Sequence, residues 1–201
     1  MKRALDIVLG TVGLVLAAPV ILAGALAVRR RAPGPLLYAH ERAGRDGRPF
    51  LLWKVRTMVD GGDALLEARL RDDPAARVEW DRYFRLADDP RIAGRAGRLL
   101  RRLSIDELPQ LYNVIVGDMS LVGPRPLPPD VIAALPPPFV AARQVVRPGL
   151  TGLWQVSGRS DVDLAAMEAT DLAYVERASL ALDLRILART PRAVLTGEGA
   201  Y

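Results

Sequence analysis

The chain lacks cysteine altogether and has one histidine, two lysines and eleven aromatic residues among its 201. Without cysteine there are no disulfides, thiolate metal sites or thiol nucleophiles, which fits a reducing compartment. His40 is the lone imidazole, so any catalysis rests on carboxylates, arginines or a bound metal. The arginine-rich stretch from Ile92 to Leu111 contains no aromatic side chain on which bases could stack, and no nucleic acid partner is expected. Lysine is so rare that the net charge of +5 is carried almost entirely by arginine. Guanidinium groups fork onto oxyanions, which points to phosphate-bearing partners such as a nucleotide or an anionic membrane. A chain of this length buries one core, and nothing in its composition suggests disorder or repeats.

What the chain does have is a long apolar run. From Ile7 to Val28, 22 residues pass without a charge, which is roughly the length of a membrane span. A secretory signal would have a shorter apolar region and a small-residue cleavage site. A simple span is opposed by the flanks: Lys2 and Arg3 precede the run and Arg29, Arg30 and Arg31 follow it, so both ends prefer the cytoplasmic side. Pro19 lies inside the run, where it removes a backbone hydrogen bond and crowds the preceding turn. A segment that dips into one leaflet and returns accounts for both facts, with a span as the alternative.

Residues 29–50 are rich in Pro, Gly and Arg and read as a basic connection at headgroup level. "FLLWKVRTM", Phe50 to Met58, reads as a short strand that turns Lys54 to one face and Val55 to the other. Asp63 to Leu86 reads as two helical pieces interrupted at Pro74, with Leu65, Leu66, Leu70, Val78 and Tyr83 on a partly buried face. "MSLVGPRPLPPD" is an extended loop, Pro136 to Pro138 break a further helical piece, and "VVRPGLTGLWQVSGR" reads as strand and turn. Val162 to Leu195 is helical by pattern. Its Arg185, Arg189 and Arg192 suit either a membrane-surface helix or the solvated face of a core helix.

The segment "RRLSIDELPQL" carries the sharpest ambiguity. Ser104-x-x-Glu107 matches a capping box, and acidic residues in a first turn suit the helix dipole. Pro109 argues against that placement. With Ser104 as N-cap it would fall at the fifth helical position, whereas it is more comfortable at the helix start. Asp106 and Glu107 would then sit on the connection before the helix, where phosphate is favoured. Arg101 and Arg102 lie upstream and Arg125 lies in a "GPRP" loop downstream, so a phosphate-bearing substrate could be clamped against two carboxylates. Carboxylates repel phosphates, so such a site also calls for a divalent cation, and Mg²⁺ is the ion usually shared between them.

"KVRTM", "SIDELPQLYNVIVGDMSLVGPRP" and "VRPGLTGLWQVSGR", in this order after a membrane segment, resemble the monotopic phosphoglycosyl transferases among the bacterial sugar transferases. The resemblance covers nearly the whole chain. It implies an α+β, mostly helical fold: a proline-broken re-entrant helix with its basic flank over residues 1–31, then a cytosolic catalytic domain with short strands and amphipathic surface helices over 32–201. It implies that Asp106 is the nucleophile on the β-phosphate of a UDP-sugar, releasing UMP, and that undecaprenyl phosphate then takes the phosphosugar. Glu107 is implied as base or partner to Asp106 at a Mg²⁺ site, and Lys54, Arg101, Arg125 and Asp171 of "TDLAYVE" as substrate-site residues. The implied location is the cytoplasmic face of the bacterial inner membrane, and a homo-oligomer is left open. Many relatives have Ser-Pro at the helix break, and here it is Ala18-Pro19, which removes a hydroxyl that could satisfy the freed carbonyls. Some larger relatives carry further spans before the catalytic part, and this chain reads as a minimal form.

"TGLWQVSGRSD" and "GEGAY" resemble members that transfer galactose or glucose 1-phosphate, with a UDP-N-acetyl amino sugar as the alternative donor. Two rivals stand beside this reading. One is a membrane-anchored binding protein whose carboxylates merely cap a helix. The other is a transferase that passes on the sugar alone and leaves both phosphates on the nucleotide.

Overall fold

The computed structural model describes residues 1–83, 86–157 and 164–196. The apolar run forms helix α1 (Lys2–Arg29), which continues through Pro19. Pro19 has no amide to donate to the Val15 carbonyl, yet turns on both sides hold. The expected proline break is therefore not a break in secondary structure but a proline inside one helix.

Both ends of α1 are fastened to the rest of the chain. Lys2 Nζ donates to Asp183 Oδ2 (2.7 Å) and to Val122 O (3.1 Å). Arg3 donates to the carbonyls of Val114 and Ile115 (2.5 and 2.7 Å). Asp6 is buried and accepts from Ser120 Oγ and the Leu121 amide (both 3.0 Å). At the other end Ala25 and Val28 pack with Val55, Ala93 and Leu100. Lys2 and Arg3, which the sequence marks as orientation charges, are thus also structural contacts.

Strand β1 (Leu37–Ala43) pairs antiparallel with β2 (Pro49–Val55), Leu37 opposite Val55 and Ala43 opposite Pro49. The sequence reading has only a connection where β1 lies. An exposed two-stranded ribbon with polar residues at half its positions gives no apolar alternation to detect. The strand read at Phe50–Met58 is β2, shifted, and its alternation holds: Val55 is buried while Lys54 faces the other way. Pro74 separates α2 (Gly62–Asp72) from α3 (Pro74–Tyr83) by starting the second, the position a proline tolerates best. Leu66 and Ala76 pack with Leu86, Leu70 and Trp80, whereas Leu65 and Val78 face outward, contrary to the expected face.

Helix α4 (Gly94–Arg102) leads into a single 3₁₀ turn, Ile105–Glu107, and then α5 (Gln110–Val116). The capping box does not form: Ser104 is left-handed (φ 54°) and makes no side-chain cap. Pro109 stands at the N-cap of α5, so both carboxylates precede the helix, as the proline implies. Fully buried Asn113 ties α5 to β2, donating to Leu51 O (2.7 Å) and accepting from the Trp53 amide (3.1 Å). This fixes the strand that carries Lys54 against the turn that carries the carboxylates.

β3 (Ser120–Val122) runs parallel to β4 (Gly149–Thr151), with α6 (Pro129–Ala134) and α7 (Pro137–Arg143) between them. The "LWQV" part of the expected strand and turn is instead a helical turn, α8 (Leu153–Val156). The C-terminal helical pattern divides into α9 (Leu164–Arg177) and α10 (Leu180–Thr196). The main core gathers Leu52, Leu111, Val114, Val122, Tyr174 and Ile186 from β2, α5, β3, α9 and α10, with Met119 from the α5–β3 connection. The fold is mostly helical α+β, as expected.

Candidate active site

A cavity of about 290 Å³ opens between the 105–107 turn, β2, the loop after β3, the β4–α8 connection and α10. Lys54, Arg101, Asp106, Glu107 and Arg125, five of the six site residues expected from the sequence, line it. Asp171 does not. It is buried behind the cavity, where Arg143 Nη2 donates both to its Oδ2 (2.9 Å) and to the Arg125 carbonyl (2.6 Å). Asp171 therefore meets the site through Arg143 and the backbone that presents Arg125. Burial pushes its carboxyl up to about 6 against the pull of Arg143.

The two adjacent carboxylates have opposite surroundings. Glu107 Oε1 receives Lys54 Nζ at 2.7 Å and Arg125 Nη2 at 2.9 Å. Burial would raise its pKa, but the charges and hydrogen bonds of Arg125 and Lys54 outweigh burial and hold Glu107 well below the ordinary carboxylate range. Asp106 is buried too, yet among the described residues it has no hydrogen bond or ion pair. Burial raises its pKa to about 6, with Lys54 opposing and the neighbouring Glu107 adding to the rise. One carboxylate is locked between cations and the other has its lone pairs unengaged in the same cavity.

The loop that carries Arg125 is also held by backbone hydrogen bonds. The Gly123 amide donates to Thr151 O (3.0 Å) and the Gly149 amide to Pro124 O (2.8 Å). A Cβ on Gly123, Gly149 or Gly152 would fall inside the facing main chain, so this close approach requires glycine.

Along β1, Tyr38, His40 and Arg42 alternate onto the face that carries Lys54. Burial, then the charges of Arg42 and Lys54, lowers His40 to about 4, leaving it neutral at pH 7. Burial and Arg125 lower Arg42 to about 10. The sequence shows no strand there, so this row is absent from the expected site, as are Thr151, Trp154, Gln155 and Thr190, which also line the cavity. "TGLWQ" was visible as a chemical cluster only once α8 was known to be helical. Residues 158–161 of "TGLWQVSGRSD" and the whole of "GEGAY" lie outside the described residues.

A second hollow of about 380 Å³, between α1, β2 and α5, is lined by apolar and aromatic side chains including Leu14, Leu22, Trp53 and Tyr112. Trp53 faces this groove while its neighbour Lys54 faces the charged cavity.

Residues 1–197 match the model of the bacterial sugar transferases. The chain belongs to the bacterial sugar transferase family. It is 44% identical over its full length to an undecaprenyl-phosphate galactose phosphotransferase of Salmonella typhimurium, of which it spans 42%. It is 42% identical to the exopolysaccharide production protein ExoY of Sinorhizobium fredii, spanning 88% of that chain. Identity is also 42% to a UDP-glucose:undecaprenyl-phosphate glucose-1-phosphate transferase of Caulobacter vibrioides, over 72% of its length. The chain thus spans about two fifths of some curated relatives and most of others.

Proposed function

We propose that this sugar transferase moves a hexose 1-phosphate, galactose or glucose, from a UDP-sugar to undecaprenyl phosphate and releases UMP. The observation that carries the reading is the asymmetry of the carboxylates: Asp106 is buried and, among the described residues, without a hydrogen bond or ion pair, beside Glu107, which binds two cations. The names of the Salmonella and Caulobacter relatives, a galactose phosphotransferase and a glucose-1-phosphate transferase acting on undecaprenyl phosphate, support the substrate classes.

In this reading an Asp106 carboxylate oxygen attacks the β-phosphorus, and the bond from that phosphorus to the bridging oxygen breaks. UMP departs with the electron pair, leaving an aspartyl phosphosugar. A phosphate oxygen of the acceptor then attacks the same phosphorus, restores the carboxylate and forms a lipid diphosphate sugar. Dividing the displacement in two replaces one difficult step by two easier ones, with Asp106 the nucleophile of the first and the leaving group of the second. Lys54 and Arg125, held by Glu107, and Arg101 on the same wall set fixed positive charge where phosphoryl charge develops. The donor set fits Mg²⁺, which needs only one or two carboxylates in addition to substrate phosphates. Asp106 and the Glu107 oxygen not engaged by Lys54 and Arg125 would hold it, and when bound it supplies neutralisation of the diphosphate.

We further propose that α1 inserts into the cytoplasmic leaflet without crossing it. Both of its ends are fastened to one domain, while Val8, Val12, Val15, Leu16, Val20 and Leu22 face outward. The apolar groove beside α1 suits an isoprenoid acceptor approaching from the lipid.

The test is UMP release from UDP-galactose and UDP-glucose with undecaprenyl phosphate and Mg²⁺, using purified protein. Asp106→Asn is expected to abolish turnover with an unchanged circular dichroism spectrum. Without acceptor, wild type is expected to release one UMP per chain and retain the sugar label on Asp106. Release of UDP, or full activity of Asp106→Asn, overturns the reading.

A further inference from the structure

Strand β3 is three residues long and, among the described residues, pairs with β4 alone. Toward β4 the Ser120 amide donates to Pro148 O (2.9 Å), and just past the strand the Gly123 amide donates to Thr151 O (3.0 Å). The Leu121 amide and the Val122 carbonyl are buried backbone groups that need partners too, and helix side chains supply them. Asp6 accepts from the Leu121 amide and from Ser120 Oγ (both 3.0 Å), and Ser120 Oγ in turn accepts from the Val122 amide (3.4 Å). The Val122 carbonyl accepts from Lys2 Nζ (3.1 Å) and lies 3.0 Å from Tyr174 Oη. Asp183 gathers both donors, 2.7 Å from Lys2 and 2.8 Å from Tyr174.

Lys2 and Asp6 are four residues apart, one above the other on the same face of α1. Four residues of helix rise about 6 Å, close to the length of two strand residues, so one turn of α1 matches Leu121 and Val122. The start of an apolar helix thus takes the place of a second neighbouring strand. This arrangement buries the Asp6 carboxylate to 3% exposure. For stability alone apolar packing would serve as well, and what a buried charged contact adds is a fixed register.

Register matters here because Gly123, Pro124 and Arg125 follow Val122 directly. The Gly149 amide holds Pro124 O (2.8 Å), and Arg125 Nη2 reaches Glu107 Oε1 at 2.9 Å. A slip of one residue along β3 would carry Arg125 about 3.4 Å, more than a hydrogen bond tolerates. We propose that Lys2 and Asp6 are positioning residues of the active site: the first turns of α1 set the register of β3, and β3 sets the place of Arg125. The helix that presents the exposed apolar face then also aligns the cationic wall, and turnover depends on its N-terminal end being seated. This rests on the reading above, in which Arg125 faces the transferring phosphate.

The test compares wild type, Lys2→Met, Asp6→Asn, Lys2→Arg and Arg30→Met, each purified and reconstituted in phospholipid vesicles, by UMP release and by hydrogen exchange of residues 119–127. Lys2→Met and Asp6→Asn are expected to lower kcat about 10²-fold with KM for the UDP-sugar within about threefold, the scale of a displaced catalytic group. Their 119–127 amides are expected to exchange about tenfold faster. Lys2→Arg keeps the donor and is expected to restore most of both. Arg30→Met removes the same charge from the other, exposed end of α1 and is expected to match wild type. An equal loss in Arg30→Met would reduce Lys2 to a flanking charge and overturn the proposal. So would a kcat per folded, vesicle-bound Lys2→Met within about twofold of wild type, or a fall in kcat with 119–127 exchange unchanged. The Lys2 side chain is 41% exposed, so this variant keeps the test decisive where Asp6→Asn does not fold. If wild type releases no UMP, the function reading fails alone, and 119–127 exchange still decides whether α1 holds the Arg125 loop.

Discussion

At the scale of single residues, the site works by giving two adjacent carboxylates different tasks. Glu107 holds Lys54 and Arg125 with one oxygen, so its removal would leave two cations facing each other in a half-buried space. Glu107→Gln is therefore expected to lower UMP release by about 10²–10³-fold, the scale of losing one preorganised electrostatic contact. A drop in the thermal midpoint should accompany it, whereas activity within twofold of wild type would remove Glu107 from the machinery. His40 gives a second test, in stability. Its folded pKa, about 4, lies below its ordinary value of 6.5, so between these the unfolded chain binds more protons. The stability that neutral His40 contributes is present above pH 6.5 and is lost as pH falls toward 4. Urea midpoints at pH 7.5 and pH 5 should show wild type losing more than His40→Asn, and parallel losses would mean the imidazole is not held neutral.

At the scale of elements, the cationic wall depends on parts that never touch the cavity. Arg143 and Asp171 form an ion pair with side-chain exposures of 5% and 2%, and Arg143 also carries the Arg125 carbonyl. Removing one partner strands a buried charge, so Asp171→Ala is expected to cost about 3–5 kcal/mol in chemical denaturation. A loss below about 1 kcal/mol would show that water reaches the pair. Gly149→Ala should also destabilise in the same assay, because the new Cβ meets backbone that cannot yield, and overpacking of this kind costs about 1–3 kcal/mol or more. These elements also show what the sequence could convey. Pro109 displaced the helix start past Asp106 and Glu107, and strand alternation put Lys54 and Val55 on opposite faces, so both inferences needed only local geometry, whereas the place of Lys54 beside the carboxylates came from the family resemblance. Asp171 gave no local sign that it would lie behind the cavity. β3 and β4 are three residues each and pair across a separation of 29 positions, Ser120 to Gly149, so they leave no periodic trace. β1 was hidden because its register with β2, rather than its own apolarity, makes it a strand.

At the scale of the whole molecule, the question is how a 28-residue apolar helix sits with a domain fastened along it. At 1.5 Å per residue α1 is about 42 Å long, enough to cross a bilayer. Crossing would place one end on the far side. Lys2 and Arg3 are instead bound to Asp183 and to the end of α5, and Val28 is buried against the Val55–Leu100 cluster. Carrying either contact through the membrane would drag the charged domain with it, at a cost of several kcal/mol for each unpaired buried charge. Yet the outer face, from Val8 through Leu26, is too apolar and continuous to be left to water. Lying within one leaflet satisfies both demands. Because the chain has no cysteine, single cysteines report position cleanly. Ala4→Cys and Arg31→Cys, at exposed positions flanking the run, are expected to react with a membrane-impermeant maleimide in inside-out vesicles and to stay unlabelled in intact spheroplasts. Leu16→Cys, 72% exposed on the outer face, should be protected in both until detergent is added. Labelling of either flank from the outside of intact spheroplasts would show that α1 spans, and the contacts at one of its ends would then have to open in the membrane.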